Sequence, residues 1–237
     1  MYGWRGRVGL IIPSSNTTME PEFYSLMPVG VSVHTTRVPL REVTSEELIR
    51  MEEKAVEAAE LLATADVDII VYGCTTGSLV KGPGHDEEIA RRLSKASGKP
   101  VLPTATAVIE ALRALRAKRI ALVTPYIDEV NEREIKFLEH HGVQVEELRS
   151  FRIKANIEIG KLEPYQVYRL AREVRRDLDA VFISCTNLRT IEVIDALEKD
   201  LGLPVFSSNT ATVWATLRRL GVREVGMAVG RLLKELL

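Results

Sequence analysis

Cysteine is almost absent from this chain: Cys74 and Cys185 are the only two among 237 residues. So few thiols exclude a disulfide-stapled scaffold. Aromatic residues make up 5% of the chain, and no apolar run reaches the roughly 20 residues of a membrane span. No G-x-G-x-x-G or P-loop pattern occurs, which argues against a nucleotide cofactor. The four histidines (His34, His85, His140 and His141) lack Cys or carboxylate companions at ligand spacing, so no metal is expected. Neither sign of charge dominates, with 32 Lys and Arg against 33 Asp and Glu. Basic residues form no stripe interleaved with aromatics, so nucleic acid is not an expected partner. Residues 1–7 lead into a strand without the apolar core of a signal peptide, and a soluble, cytoplasmic protein is the expectation. Glutamine is scarce (Gln144 and Gln166) while Arg and Glu abound, which points towards a thermophilic source.

What is present is a repeated arrangement. Val67–Tyr72 is an apolar, β-type run that leads into Gly73-Cys74-Thr75-Thr76-Gly77, and Leu178–Ile183 leads in the same way into Ser184-Cys185-Thr186-Asn187. The two cysteines lie 111 residues apart, close to half of the chain. Val8–Pro13 recurs as Ile120–Pro125, and Pro100–Pro103 as Pro204–Ser207, in the same order. Three matches in one order indicate a duplication. Strand-like runs alternate with helical patterns, which reads as parallel α/β sheets. The strands expected are 6–12, 31–38, 67–72 and 99–102, then 118–124, 143–149, 179–184 and 203–206. Helices are expected near 18–27, 45–64, 86–96, 104–116, 128–141, 163–176, 188–201 and 209–220, with a closing helix in 223–237. Thr44-Ser45-Glu46-Glu47 reads as a capping box, and Gly142 and Gly202 as helix stops.

A cysteine at a strand's carboxyl end stands in the crevice where open parallel sheets bind ligands. Cys74 at a helix N-terminus is expected to have its thiolate favoured by the local dipole, giving a usable nucleophile or base. For a single cysteine the plainer reading is a buried structural residue; the mirrored Cys185 favours chemistry. Pro13-Ser14-Ser15-Asn16-Thr17 supplies hydroxyls, an amide and backbone N–H groups suited to a carboxylate or phosphate. Thr75 and Thr76 add hydroxyls beside Cys74, as Thr186 and Asn187 follow Cys185. Tyr126, after Thr124-Pro125, can donate to a developing oxyanion. Asn156, read as lying in a linking loop, offers another amide.

With these residues in place, the chain resembles the aspartate/glutamate racemase superfamily. Pro13–Thr17 with Glu20, Gly73-Cys74-Thr75, Pro125-Tyr126, Asn156 with Gly160, and Cys185-Thr186-Asn187 resemble its maleate cis-trans isomerase and arylmalonate decarboxylase branch, over residues 6 to about 220. The resemblance implies two pseudo-symmetric, flavodoxin-like α/β halves, each a mostly parallel four-stranded sheet flanked by helices, with the active site between them. The expected halves are 1–103 plus 208–237, and 104–207. It also implies catalysis without a cofactor, with Cys74 as nucleophile and Cys185 handling a proton. Asn16, Tyr126 and Asn156 would hold the carboxylates of a small dicarboxylate, with Ser14, Thr75, Thr76, Thr186 and Asn187 around it. A homo-oligomer, dimer or higher, is expected. Decarboxylases of this branch have Gly in place of the first Cys, followed by hydroxyl residues; this chain has both Cys74 and the Thr75-Thr76 pair. The leading expectation is therefore an isomerase, with a decarboxylase or two-thiol racemase as alternative. A racemase acting on amino acids would need a carboxylate for the ammonium group, with Glu20 and Glu22 as candidates. A binding protein for small acids is the non-enzymatic reading.

Overall fold

The first sheet is built from β1 (Gly6–Pro13), β2 (Val31–Val38), β3 (Ile69–Tyr72) and β4 (Val101–Pro103). The second comprises β5 (Arg119–Thr124), β6 (Gln144–Ser150), β7 (Ala180–Ile183) and β8 (Val205–Ser207). All pairings are parallel, in the orders β2-β1-β3-β4 and β6-β5-β7-β8. The computed structural model describes residues 2–237. The two identical orders give the duplication a physical form. The central strands β1, β3, β5 and β7 are Val/Ile/Leu-rich because helices cover both faces, as parallel sheets require.

In each sheet the chain leaves the second strand in the row for opposite neighbours, first β2 and then β3, or β6 and then β7. Such a reversal falls at the carboxyl ends of β1/β3 and of β5/β7, the place where doubly wound sheets hold ligands. The helices are α1 (Met19–Leu26), α2 (Ser45–Thr64), α3 (Thr75–Leu79), α4 (His85–Ser97), α5 (Thr104–Ala114), α6 (Asp128–His140), α7 (Asn156–Gly160), α8 (Pro164–Arg172), α9 (Ile194–Leu201), α10 (Ser208–Arg219) and α11 (Gly230–Glu235). The equivalent helices α5 and α10 pack against each other, and α10 also touches α1 and β3; α11 lies on β8 and α9. Residues 208–217 of α10 are all buried. Its polar side chains satisfy themselves along the helix, with the Thr212 and Thr216 hydroxyls donating to the Ser208 and Thr212 carbonyls at 2.7 Å.

Several expected elements differ in extent. The helix expected over 188–201 starts at Ile194, because residues 188–193 form turns anchored by Thr190 to Glu22 of α1. Thr44 caps α2 by accepting from the Glu47 N–H at 3.4 Å. Gly142 and Gly202 take positive φ at helix ends, as read from the sequence. Asn156 does not lie in a loop but opens α7, and it is buried. Among the described residues no helix is long and apolar enough to cross a membrane, and no group of three His, Cys, Asp or Glu side chains is placed to hold a metal.

Glu22 is buried at the junction of the halves. Its carboxylate accepts from the Thr190 and Ile191 N–H groups (2.8 and 3.3 Å) and from the Asn209 amide (2.6 Å). Burial nonetheless pushes its pKa up to about 7 against these hydrogen bonds. The folded protein thus keeps a proton that the unfolded chain gives up near 4.5. The associated stability is present below that value and is lost as pH rises towards about 7. Glu22→Gln should therefore flatten the dependence of the urea midpoint on pH between 5 and 7, compared with wild type. An unchanged slope would place the titration elsewhere.

Candidate active site

Gly73 follows β3, and its backbone runs so close to β1 that a Cβ would stand 2.9 Å from the Ile11 carbonyl oxygen. Cys74 then takes the N-cap position of α3, and its sulfur accepts the Gly77 N–H at 3.3 Å. The Thr76 hydroxyl lies 3.9 Å from the same sulfur. In the second half, Cys185 follows β7 with φ of +106°, a conformation that L side chains rarely adopt. Its sulfur accepts the Asn187 N–H at 3.3 Å, and the Tyr126 hydroxyl lies within hydrogen-bonding reach. Both cysteines belong to one contiguous buried cluster drawn from the two halves.

A network of polar contacts closes the ring. The Asn16 amide donates to the Thr186 hydroxyl at 3.0 Å, and that hydroxyl donates to the Gly73 carbonyl at 3.3 Å. Ser208, at the start of α10, accepts from the Thr75 hydroxyl (2.9 Å) and the Cys185 N–H (3.1 Å), joining the two cysteine loops through one oxygen. Asn187 accepts the Thr17 N–H at 2.9 Å and donates to the Asn156 carbonyl at 2.7 Å. The Asn156 amide in turn donates to the Ser15 hydroxyl at 2.8 Å. Nine of the ten residues singled out from the sequence are thereby buried around one interface. Ser14 is the exception: it is exposed, and its hydroxyl accepts the Leu40 N–H at 3.2 Å. Arg37 steadies this corner by donating to the Ser14 and Asn16 carbonyls at 3.2 and 2.7 Å.

The electrostatics differ from the dipole-based expectation. Burial pushes the Cys74 thiol up to about 11, outweighing the Gly77 N–H and the Thr76 hydroxyl. Burial likewise pushes Cys185 up to about 12, against the Tyr126 and Asn187 hydrogen bonds. Five residues of α3 supply too little dipole to offset the loss of water around the sulfur. Gly73 and Gly77 leave no open space beside Cys74. A Cβ on Gly77 would meet Met51 at 2.8 Å and the Cys74 sulfur at 3.0 Å, so these glycines permit close packing. Burial thus favours the neutral form of both thiols, which have N–H and hydroxyl donors around them.

Gly160 has a similar reason. A Cβ there would sit 2.5 Å from the Thr17 hydroxyl and 3.1 Å from the Asn187 amide oxygen. Gly160→Ala should cost about 1–3 kcal/mol of stability through overpacking. It should lower turnover more than tenfold, by displacing the Asn187 bridge; unfolding midpoints and initial rates check both.

Ser208 and Asn209 were not picked out from the sequence. The run Ser207-Ser208-Asn209-Thr210 after β8 was the available signal, since four successive polar residues at a strand end mirror Ser14–Thr17 after β1.

Two parallel α/β halves that each bring one buried cysteine to a shared interface define a two-thiol protein of duplicated, flavodoxin-like fold. The family model for arylmalonate decarboxylase matches residues 8–233. A maleate isomerase of Geobacillus stearothermophilus is 31% identical over 242 residues, covering 96% of each chain. Among solved structures, a Cys-to-Ala variant of the Pseudomonas putida S16 maleate isomerase, crystallised with maleate, has a TM-score of 0.91 at 32% identity, covering 96% of this chain and 97% of that one. A Cys-to-Ser mutant of the Nocardia farcinica maleate cis-trans isomerase, with a covalently bound succinylcysteine intermediate, also has a TM-score of 0.91 at 30% identity, covering 97% and 98%. The chain belongs to the maleate isomerase and arylmalonate decarboxylase family of the aspartate/glutamate racemase superfamily.

Proposed function

We propose that the protein is a cofactor-independent cis-trans isomerase of maleate or a similar small unsaturated dicarboxylate, acting in the cytoplasm as a homo-oligomer. The observation that carries this reading is the presence of a thiol in each half, both buried in one cluster, with the loops that hold them joined through the Ser208 hydroxyl. In the proposed reaction the Cys74 thiol passes its proton to a carboxylate of the substrate, which returns it after the final C–S cleavage, and the sulfur bonds to one alkene carbon. The π electrons move to the neighbouring carbon and its carboxylate, giving an enediolate-like species. Rotation about the resulting single bond, then C–S cleavage, yields the trans isomer. Cys185 lends the carbanionic carbon a proton and takes it back before elimination. Donors such as the Thr75, Thr76 and Tyr126 hydroxyls would stabilise the charge on the carboxylate oxygens, each worth about 3–4 kcal/mol when well placed. The covalent succinylcysteine in the Nocardia relative is the product expected of such an addition.

The second reading, a decarboxylase, is favoured by one observation: Cys185 and Thr75-Thr76 together supply a proton donor and hydroxyls, which is all that reaction needs. A racemase finds less support, because both carboxylates proposed for an ammonium group are engaged, Glu20 by Arg37 at 2.7 Å and Glu22 by Thr190 and Asn209. Proton NMR of the purified protein with maleate, phenylmalonate and aspartate, each in deuterated water, tests all three. Conversion of maleate alone supports the proposal; turnover of phenylmalonate alone overturns it. Light scattering at several concentrations tests the oligomer.

A further inference from the structure

The duplication gives the two thiols nearly equivalent places, yet addition to an alkene needs one thiolate and one thiol. The difference must come from what surrounds them. Glu134 on α6 is 1% exposed, and one carboxylate oxygen accepts the Ser184 hydroxyl at 2.6 Å. Its other oxygen is buried with no hydrogen-bond partner, and among the described ion pairs no cation approaches it. Ser184 immediately precedes Cys185, and the titratable groups that feel this carboxyl are Tyr126, from the end of β5, and Cys185 itself. The other elements packed on α6 are α3, which carries no titratable residue, and β6, whose charges pair among Arg119, Glu146, Glu147 and Arg149.

The Cys74 side lacks such a neighbour. Glu22, 112 residues before Glu134 in the repeat, turns instead to donors from the other half. Glu52, the buried carboxylate behind Tyr72, is paired with Arg92 and Lys81 at 2.8 and 3.0 Å, with His85 Nε2 at 3.1 Å. An uncompensated negative charge beside Cys185, and none beside Cys74, makes the first sulfur harder to ionise than the second.

We propose that Glu134 is a positioning residue that assigns the two thiols their roles: its buried carboxylate holds Cys185 in the thiol form, leaving Cys74 as the sulfur that ionises. This rests on the isomerase reading, in which the thiols act unequally. Glu134 touches no reacting atom and works through Ser184, Tyr126 and Cys185. Burial raises its own carboxyl to about 7, so the charge is present in mildly alkaline solution.

With only two cysteines in the chain, each can be titrated alone. In Cys74→Ala protein, iodoacetamide alkylation and thiolate absorbance between pH 7 and 11 report on Cys185. Adding Glu134→Gln should speed its alkylation about tenfold at pH 8, a shift of about one unit in the thiol titration. Glu134→Asp, which keeps the charge, should leave the rate within about threefold of the parent. In Cys185→Ala protein, Glu134→Gln should leave Cys74 unchanged. If the Gln variant does not fold, Ser184→Ala removes the hydrogen bond that favours the carboxylate and should accelerate Cys185 in the same direction. An unchanged Cys185 rate, or equal acceleration of both thiols from loosened packing, overturns the proposal. No substrate enters the measurement, so it can fail while maleate turnover stands, and succeed where maleate turnover fails.

Discussion

Replacing Cys74 by alanine is expected to lower conversion of maleate by at least about a thousand-fold, since the covalent step has no other nucleophile. Cys74→Ser should fail almost as completely. A buried serine hydroxyl ionises far less readily than a thiol and is much the weaker nucleophile. Neither change should unfold the protein, because the cap on Gly77 is one neutral hydrogen bond, worth about 1 kcal/mol. Proton-detected assays on phenylmalonate distinguish the decarboxylase, for which Cys74→Gly leaves turnover intact while Cys185 alone protonates the enediolate. Phenylmalonate turnover by Cys74→Gly, with wild type inactive on maleate, would displace the isomerase assignment.

Cys185 is expected to show a different pattern in stability from Cys74. At φ of +106° glycine is unstrained and alanine is not, so Cys185→Gly should be more stable than Cys185→Ala by about 1 kcal/mol. At Cys74, with φ of −146°, the ordinary order holds and alanine should be the more stable of the two. Both Cys185 variants should lose about a thousand-fold or more of maleate conversion, for want of a proton donor. Denaturant unfolding of the four variants checks the inversion, and an Ala-over-Gly order at both positions would show that the Cys185 backbone stores no strain. Strain at one thiol and not at its equivalent marks the place where function holds the chain away from its relaxed form.

The sheets were legible because strands buried on both faces read as continuous apolar runs, and because each ended in the same Cys-Thr signature. Val31–Val38 has the bounds expected of it, and the other strands differ by one or two residues at their ends. The five-residue helix α7 was not legible, and of α3 only its start at Cys74 was, since so short an element has no periodicity and exists through its caps and tertiary contacts. The cysteines, Asn16, Thr75, Thr186 and Asn187 could be placed at strand ends from sequence alone. Their mutual bonds could not, because Ser208 and Asn209 reach them from far along the chain. Ionisation was misjudged for a related reason: a sequence shows the helix behind Cys74 but not the absence of water in front of it.

Glu22 bears on how the chain is made as well as on how it stands. Its hydrogen-bond donors, Thr190, Ile191 and Asn209, are synthesised at least 168 residues later. While the ribosome is still producing the second sheet, the first therefore has a glutamate facing its interface with no partner. α10, which packs on α1 and β3, has not yet emerged. The amino-terminal half cannot complete its fold ahead of the carboxyl-terminal one, despite having a whole sheet of its own. A chain ending before Asn209 would keep the whole first sheet but leave Glu22 without its amide donor.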